Sequence, residues 1–132
     1  TMAQMNNSVV KILLADDQPA NLDVLGDLLE SQGYDVLLTP NGKLALRTAT
    51  RALPDLILLD VMMPKLDGLA VLERLQGDQS TRAIPVIFLS AKALPEDIKA
   101  GMDRGACGYL TKPFDALHLE ERLDEILAAA DL

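Results

Sequence analysis

The chain has 132 residues, of which 49% are hydrophobic, and this size and composition suit one compact domain with a single core. Its formal net charge of -8 and sequence pI of about 4.5 disfavour direct binding to nucleic acid or to an anionic membrane surface, so we expect proteins or cations as direct partners. The single cysteine, Cys107, excludes an internal disulfide, and the lack of a long apolar run predicts a cytoplasmic protein without a signal or transmembrane segment.

Two kinds of segment alternate along the chain after a polar start. Residues 1–8 are polar and aperiodic, and we expect them to be disordered ahead of one domain over residues 9–129. Short runs rich in Val, Ile and Leu predict five β-strands, at Val9–Ala15, Tyr34–Thr39, Leu56–Leu59, Pro85–Leu89 and Tyr109–Thr111. After each strand, apolar residues recur at the spacing of an amphipathic helix, as in Leu22, Leu25 and Leu29.

This alternation predicts an α/β fold with a parallel sheet. Near-continuous apolar strands indicate burial on both faces, and right-handed crossover connections place helices on each side. At this chain length we expect a doubly wound, flavodoxin-like sheet of five strands in the order 2-1-3-4-5. Such sheets bind ligands at the carboxyl ends of the strands where the winding reverses, so polar residues at that edge mark a candidate site.

Five polar side chains follow the predicted strands at this edge. Asp16 and Asp17 follow the first strand, Asp60 the third, Ser90 the fourth and Lys112 the fifth. Strands one and three are neighbours in the predicted order, so three carboxylates, a hydroxyl and an ammonium should converge on one patch. Three carboxylates this close together repel one another unless a proton or a cation lies among them.

The residue types in this patch favour magnesium and phosphate chemistry. Oxygen ligands without a nearby His or Cys favour a hard divalent cation, and few protein ligands with room for water suit Mg²⁺ better than Ca²⁺. A carboxylate beside Mg²⁺ can act as a nucleophile toward phosphorus and form an aspartyl phosphate. Lys112 and the Ser90 hydroxyl would then offset charge on the phosphoryl oxygens.

Four motifs carry a resemblance to a known family. In chain order they are "LLADDQPAN", "LILLDVMMPKLDG", "VIFLSAKA" and "GYLTKPF". From Val10 to Leu127 the chain resembles the receiver domain of bacterial two-component response regulators, and the order and spacing of the motifs are highly specific although each alone is weak. The resemblance implies a phosphorelay switch that receives phosphate from a sensor histidine kinase or a phosphotransfer protein and catalyses only its own phosphorylation and dephosphorylation.

The resemblance also implies how phosphate and metal are held. Asp60 would accept the phosphoryl group from a phosphohistidine. Asp17 and Asp60 would bind Mg²⁺, Asp16 would assist through a water, and the backbone carbonyl of Met62 would complete the protein ligands.

Further residues match family positions at the ends of the last two strands. Ser90 stands where the family has Thr or Ser, Lys112 matches the family lysine, and Tyr109 matches the aromatic that changes rotamer on activation. Pro113 matches a proline whose preceding peptide bond is usually cis in this family. The fourth helix, fifth strand and fifth helix would form the face that binds an output domain, an effector protein or a second copy of the chain.

Some of these residues also have a purely structural interpretation. Asp17 precedes Gln18 and a proline and could cap a helix, Ser90 could bond nearby backbone, and Tyr109 could be a core aromatic. The Cys107-Gly108 pair departs from the polar or acidic pair of many receivers and leaves the stiffness of the output face open.

Other functions of this fold fit the sequence less well. A flavodoxin-type binder needs a loop rich in Gly, Ser and Thr after the first strand, where this chain has Asp-Asp-Gln-Pro. An aspartyl-phosphate phosphatase often has a second acid at the position of Met62, and a P-loop hydrolase needs a G-x-x-x-x-G-K-[ST] motif that this sequence lacks. The alternative is a receiver-like interaction module that phosphorylation does not regulate; the sequence identifies neither the kinase nor an output domain.

Overall fold

Strands and helices alternate along the residues that the computed structural model describes, which are 10–91, 94–112 and 116–129. The strands are β1 (Lys11–Ala15), β2 (Asp35–Thr39), β3 (Leu56–Asp60), β4 (Val86–Ser90) and β5 (Gly108–Thr111). The helices are α1 (Pro19–Ser31), α2 (Gly42–Ala52), α3 (Gly68–Gln76), α4 (Pro95–Asp103) and α5 (Ala116–Ala129). The segment 1–8 lies outside the described residues, and none of the described helices combines the length and apolar character that crossing a bilayer requires.

The five strands form one parallel sheet in the order β2-β1-β3-β4-β5, which confirms the predicted doubly wound topology. β3 and β4 each end one residue later than predicted, because the sheet pairing continues through Asp60, opposite Leu89, and through Ser90, opposite Thr111. The carboxylate and the hydroxyl of the candidate site are therefore positioned by the sheet and not by a loop.

An apolar core covers each face of the sheet. Successive strand residues point to opposite faces, so Ile12 and Leu14 pack with α1 and α5, while Leu13 and Ala15 pack with α2 and α3. Every residue of β3 and β4 is buried, as expected for central strands that helices cover on both sides. Each fully buried Leu, Ile or Phe contributes about 1.5–3 kcal/mol, so the two central strands hold the carboxyl edge firmly in place.

Local sequence explains where the helices begin. Asn41 and Asp67 cap α2 and α3, since their side-chain oxygens accept a first-turn N–H at 2.8 Å and 2.9 Å. α1 and α4 begin with Pro19 and Pro95 instead, whose restricted φ suits the first helical position.

Candidate functional site

Three carboxylates converge at the carboxyl edge of the sheet. Asp16 follows β1 and Asp60 ends the neighbouring β3; because Ala15 pairs with Leu59, the two aspartates lie side by side. Asp16 and Asp60 are only 0% and 3% exposed, and Asp17 beside them is half-buried. One carboxylate oxygen from each of the three lies within 4.8 Å of the other two.

A single ammonium group neutralises part of this charge. Lys112 follows β5, and its Nζ donates to Asp16 Oδ2 at 2.9 Å and to Asp60 Oδ2 at 3.1 Å. Its backbone N–H donates to the carbonyl oxygen of Ser90 at 2.8 Å, which extends the pairing of β4 and β5 to this point. Among the described residues, one ammonium group thus contacts two of the three carboxylates, and the arrangement leaves an excess of negative charge for a further cation to balance.

Burial and charge set the protonation of this cluster. The pKa of Asp60 is raised to about 6, chiefly by burial. The hydrogen bond from Met62 N–H opposes this increase, the negative charge of Asp16 adds to it, and Lys112 opposes it. Burial lowers the pKa of Lys112, but its hydrogen bonds and ion pairs with Asp16 and Asp60 outweigh burial and raise it above the ordinary value. Because one lysine serves two carboxylates, it offsets only part of the cost of burying Asp60. Near pH 7, Lys112 is charged and most Asp60 side chains are ionised.

Backbone N–H groups orient two of the three carboxylates. Met62 N–H donates to Asp60 Oδ1 at 3.0 Å, and Gln18 N–H donates to Asp16 Oδ1 at 2.9 Å. Lys112 contacts the other oxygen of each, so both side chains are held at both oxygens. The interpretation of Asp17 as a helix cap is wrong, because Gln18 occupies the cap position of α1.

The first residue of α3 packs directly against the strand that carries Asp60. Gly68 N–H donates to the carbonyl oxygen of Val61 at 2.9 Å, and any side chain at position 68 would overlap the carbonyl oxygen of Asp60. Sequence reasoning missed this contact. The available signal was the Asp67-Gly68 pair, in which a helix-capping residue is followed by one without a side chain.

The donor set fits a magnesium ion. The three carboxylates offer oxygen ligands close enough to share one cation, and the partial exposure of Asp17 leaves an opening to solvent for water or a phosphoryl group. Met62, whose carbonyl is the further predicted ligand, is tied to Asp60 by its own N–H. Asp16, Asp17 and Asp60 could therefore hold a hard divalent cation.

The two predicted switch residues lie at the ends of neighbouring strands. Ser90 is fully buried at the end of β4. Tyr109 in β5 is also buried, and its ring meets Phe88 edge to face, with ring centroids 6.2 Å apart and planes inclined by 62°. Tyr109 is thus a core aromatic, and its role as a switch stays a prediction. Pro113, with its predicted cis bond, lies outside the described residues.

Comparisons with known sequences agree with this geometry. The sequence model of the response regulator receiver domain family matches residues 12–124. The DNA-binding dual master transcriptional regulator RpaA of Synechocystis sp. is 42% identical over 121 residues, which are 92% of this chain and 50% of RpaA. The chain therefore spans about half the length of that curated relative.

Solved structures give the same result. The chemotaxis response regulator CheY4 of Vibrio cholerae superposes with a TM-score of 0.86 at 29% identity, covering 91% of this chain and 100% of that chain. The receiver domain of the sensor histidine kinase PA1611 of Pseudomonas aeruginosa, which holds a magnesium ion in its active site cleft, gives a TM-score of 0.82 at 35% identity and covers 92% of this chain and 99% of that chain. The chain belongs to the response regulator receiver domain family and is a receiver domain of two-component phosphorelay signalling.

Proposed function

We propose that Asp60 accepts a phosphoryl group from a phosphohistidine on a sensor histidine kinase or a phosphotransfer protein, and that this switches the domain in the cytoplasm. The observation that carries the proposal is the convergence of Asp16, Asp17, Asp60 and Lys112 at one edge of the sheet. Burying charged carboxylates side by side costs free energy, and the fold alone has no need of them.

Asp60 is suited to be the acceptor because its carboxylate is ionised and oriented. Its pKa of about 6 leaves it mostly anionic near pH 7, and Met62 and Lys112 hold its two oxygens. In the transfer, one carboxylate oxygen bonds to phosphorus, the phosphorus–nitrogen bond of the phosphohistidine breaks, and its electron pair stays on the imidazole nitrogen. Later attack by water on phosphorus returns the carboxylate and releases inorganic phosphate, so the domain acts only on itself.

The residues around Asp60 would bind the metal ion and the phosphoryl group. Asp17, Asp60 and the backbone carbonyl of Met62 would bind Mg²⁺, with Asp16 assisting through a water. Bound Mg²⁺ supplies positive charge that balances the phosphoryl oxygens during transfer. The Lys112 ammonium would contact the phosphoryl group in place of part of its present contact with Asp60. The Ser90 hydroxyl would donate a hydrogen bond to the phosphoryl group.

Ser90 and Tyr109 would carry the signal to the surface. A shift of Ser90 toward the phosphoryl group would open space behind the end of β4, and Tyr109 on the adjacent strand can fill it. Because Tyr109 is already buried against Phe88, the expected change is a turn within the core and not an entry from solvent. The face formed by α4, β5 and α5 would change with it, and there we place the binding of an output domain, an effector protein or a second copy of the chain.

Incubation with acetyl phosphate and Mg²⁺, followed by intact-protein mass spectrometry, tests the acceptor. The wild type should gain the mass of one phosphoryl group, and Asp60→Asn should gain none. Asp23→Asn, on the exposed side of α1, is a matched control and should behave like the wild type. Phosphate on Asp60→Asn would disprove the assignment. A wild type that accepts phosphate from neither acetyl phosphate nor a kinase would favour the interaction module that phosphorylation does not regulate.

The route to the surface has its own test. Beryllofluoride, which mimics a phosphoryl group on a carboxylate, should shift the NMR signals of Ser90, Tyr109 and α4 when added with Mg²⁺. If the signals around Asp60 shift while Tyr109 and α4 do not, the acceptor is right and the proposed route is wrong.

A further inference from the structure

A cavity of about 680 Å³ lies next to the candidate site and shares the side chain of Asp17 with it. Its walls come from the loop after β1, the turn before α2 and the first residues of α2, the loop after β3 and one residue of α3. They include Asn41, Lys43, Lys65 and Arg74. A concave space of this size suits a small molecule better than a protein surface.

The cavity concentrates positive charge on an acidic protein. Lys43, Lys65 and Arg74 line it, although the whole chain has a net charge of -8. Over residues 10–91, 94–112 and 116–129, none of these three side chains makes an ion pair or a hydrogen bond, whereas Lys99 and Arg122 pair with carboxylates on their own helices. Three basic residues without a partner in the described part of the chain therefore line one cavity, together with a single carboxylate residue, Asp17.

The backbone around the cavity adds donors and fixes the loops. Asn41 accepts a helix N–H through its oxygen, which leaves its amide NH₂ as a donor, and α2 begins beside it with the positive end of its dipole. In the loop after β3, Leu66 N–H donates to Pro64 O at 2.8 Å across Lys65, whose φ is 68°. This rare three-residue turn gives a defined shape to the segment that carries Lys65.

We propose that the cavity binds a small phosphate-bearing ligand, separately from phosphorylation at Asp60. Three cationic side chains outnumber the single carboxylate of the lining, and the planar guanidinium of Arg74 can bond two oxygens of one phosphate. Pro40, Pro64 and Leu66 provide apolar wall for the organic part of a phosphate ester. The Asp17 carboxylate repels such an anion, so ligand binding and metal binding at Asp17 should affect each other.

NMR titration of Asp60→Asn protein in EDTA tests the cavity without phosphorylation or Mg²⁺. Pyrophosphate, glycerol phosphate and adenosine monophosphate should each produce saturable shifts at Asn41, Lys43 and Leu66. Lys43→Gln and Arg74→Gln should each weaken binding by about tenfold, because each removes one charge-assisted contact. Asp17→Asn should strengthen it. Arg82→Gln, which removes an exposed cation outside the cavity, is the matched control and should change affinity less than about twofold.

Each outcome has a defined meaning. Tighter binding of adenosine monophosphate than of glycerol phosphate supports the proposal and identifies nucleotides as the ligand class, whereas equal binding supports it with the phosphate as the main determinant. Three results would overturn it: no saturable shift up to about 10 mM, equal weakening by Arg82→Gln, or preferential binding of an acidic peptide such as hexaglutamate. All the substituted side chains except Asp17 and Asp60 are exposed, and circular dichroism of each variant checks that it is folded.

Discussion

Helices α3 and α4 each have nine residues and cover the same face of the sheet, yet they are attached to it very differently. α3 buries four residues, Gly68, Val71, Leu72 and Leu75. α4 buries only Gly101, and large apolar side chains at both of its ends, Leu94 and Met102, are 59% and 41% exposed. Equal length therefore does not mean equal attachment, because the number of buried apolar side chains decides how much free energy holds each helix.

The N-terminal cap also holds α3 more firmly than α4. Asp67 caps α3 with its side chain, whereas Leu94 at the start of α4 makes no such bond. The C-terminal ends are joined by one hydrogen bond, from Gln76 Nε2 to the carbonyl oxygen of Arg104 at 2.8 Å. α4 can therefore shift on the sheet at a lower free-energy cost than α3, which suits its proposed place in the output face.

The strongest test of the comparison is to remove one apolar side chain from each helix. Leu72→Ala in α3 should lower the free energy of unfolding by about 2–5 kcal/mol, because it leaves a cavity in the core. Met102→Ala in α4 should lower it by about 1 kcal/mol or less, because that side chain is 41% exposed and leaves no enclosed cavity when it is removed. Urea denaturation of both variants measures the difference. Similar losses would mean that α4 is held as firmly as α3.

A change of pH tests the end of β3, against which the first residue of α3 packs. In metal-free protein the pKa of Asp60 is about 6 when folded and about 3.9 when unfolded, so the folded state binds the extra proton between these values. Ionising Asp60 as pH rises from about 4 to about 7 should cost on the order of 2 kcal/mol of stability, and Asp60→Asn should be free of this loss. The stability of Asp60→Asn relative to wild type should thus increase with pH. NMR shifts that accompany the titration should fall at Met62 and Gly68 and not in α4.

A methyl group added to each helix should have opposite effects. At Gly101 it would lie 3.0 Å from the buried ring of Phe88 and 3.4 Å from Tyr109, so Gly101→Ala should lower stability by about 1 kcal/mol despite the better helix propensity of Ala. At Gly77, the C-terminal cap of α3, φ is -79° and the nearest atoms are 3.6 Å away. Gly77→Ala should raise stability by about 0.5 kcal/mol. Thermal unfolding compares the two, and a stabilising Gly101→Ala would show that α4 already stands off the sheet.

A last pair of variants changes the caps at the two helix starts, and its effects should be local to each helix. Asp67→Ala should cost about 1 kcal/mol, because it removes the cap of α3. Leu94→Asp should give α4 a cap of the same kind and slow the hydrogen exchange of its amides by up to about fivefold. Unchanged exchange in α4 after Leu94→Asp would mean that opening of this helix is not limited by its first turn.

The candidate site could largely be predicted from sequence because it lies at strand ends. Asp16, Asp60 and Lys112 each end or follow an apolar run, and the order of the strands in the sheet then brings them together. No knowledge of side-chain packing is needed for that step. The same reasoning predicted five strands with boundaries close to those observed, and a helix after each strand.

Features that depend on distances between elements could not be predicted in this way. The contact of Gly101 with Phe88 requires knowing how closely α4 approaches the sheet. The cavity cations Lys43, Lys65 and Arg74 come from three separate segments, and nothing in the spacing of their residues indicates that they meet. Tyr109 was assigned to a switch by resemblance, but its contact with Phe88 depends on a rotamer that sequence does not specify.

The contact of Gly68 with the main chain of Asp60 bears on how related sequences diverge. A side chain at position 68 would collide with the carbonyl oxygen of residue 60 whatever side chain residue 60 carries, so packing requires this glycine and phosphate chemistry does not. A distant relative could lose the carboxylate and still need glycine eight positions later. Among sequences already aligned as receiver domains, we therefore expect the glycine at this position to persist in members that have lost the aspartate, because it is needed for packing α3 on β3.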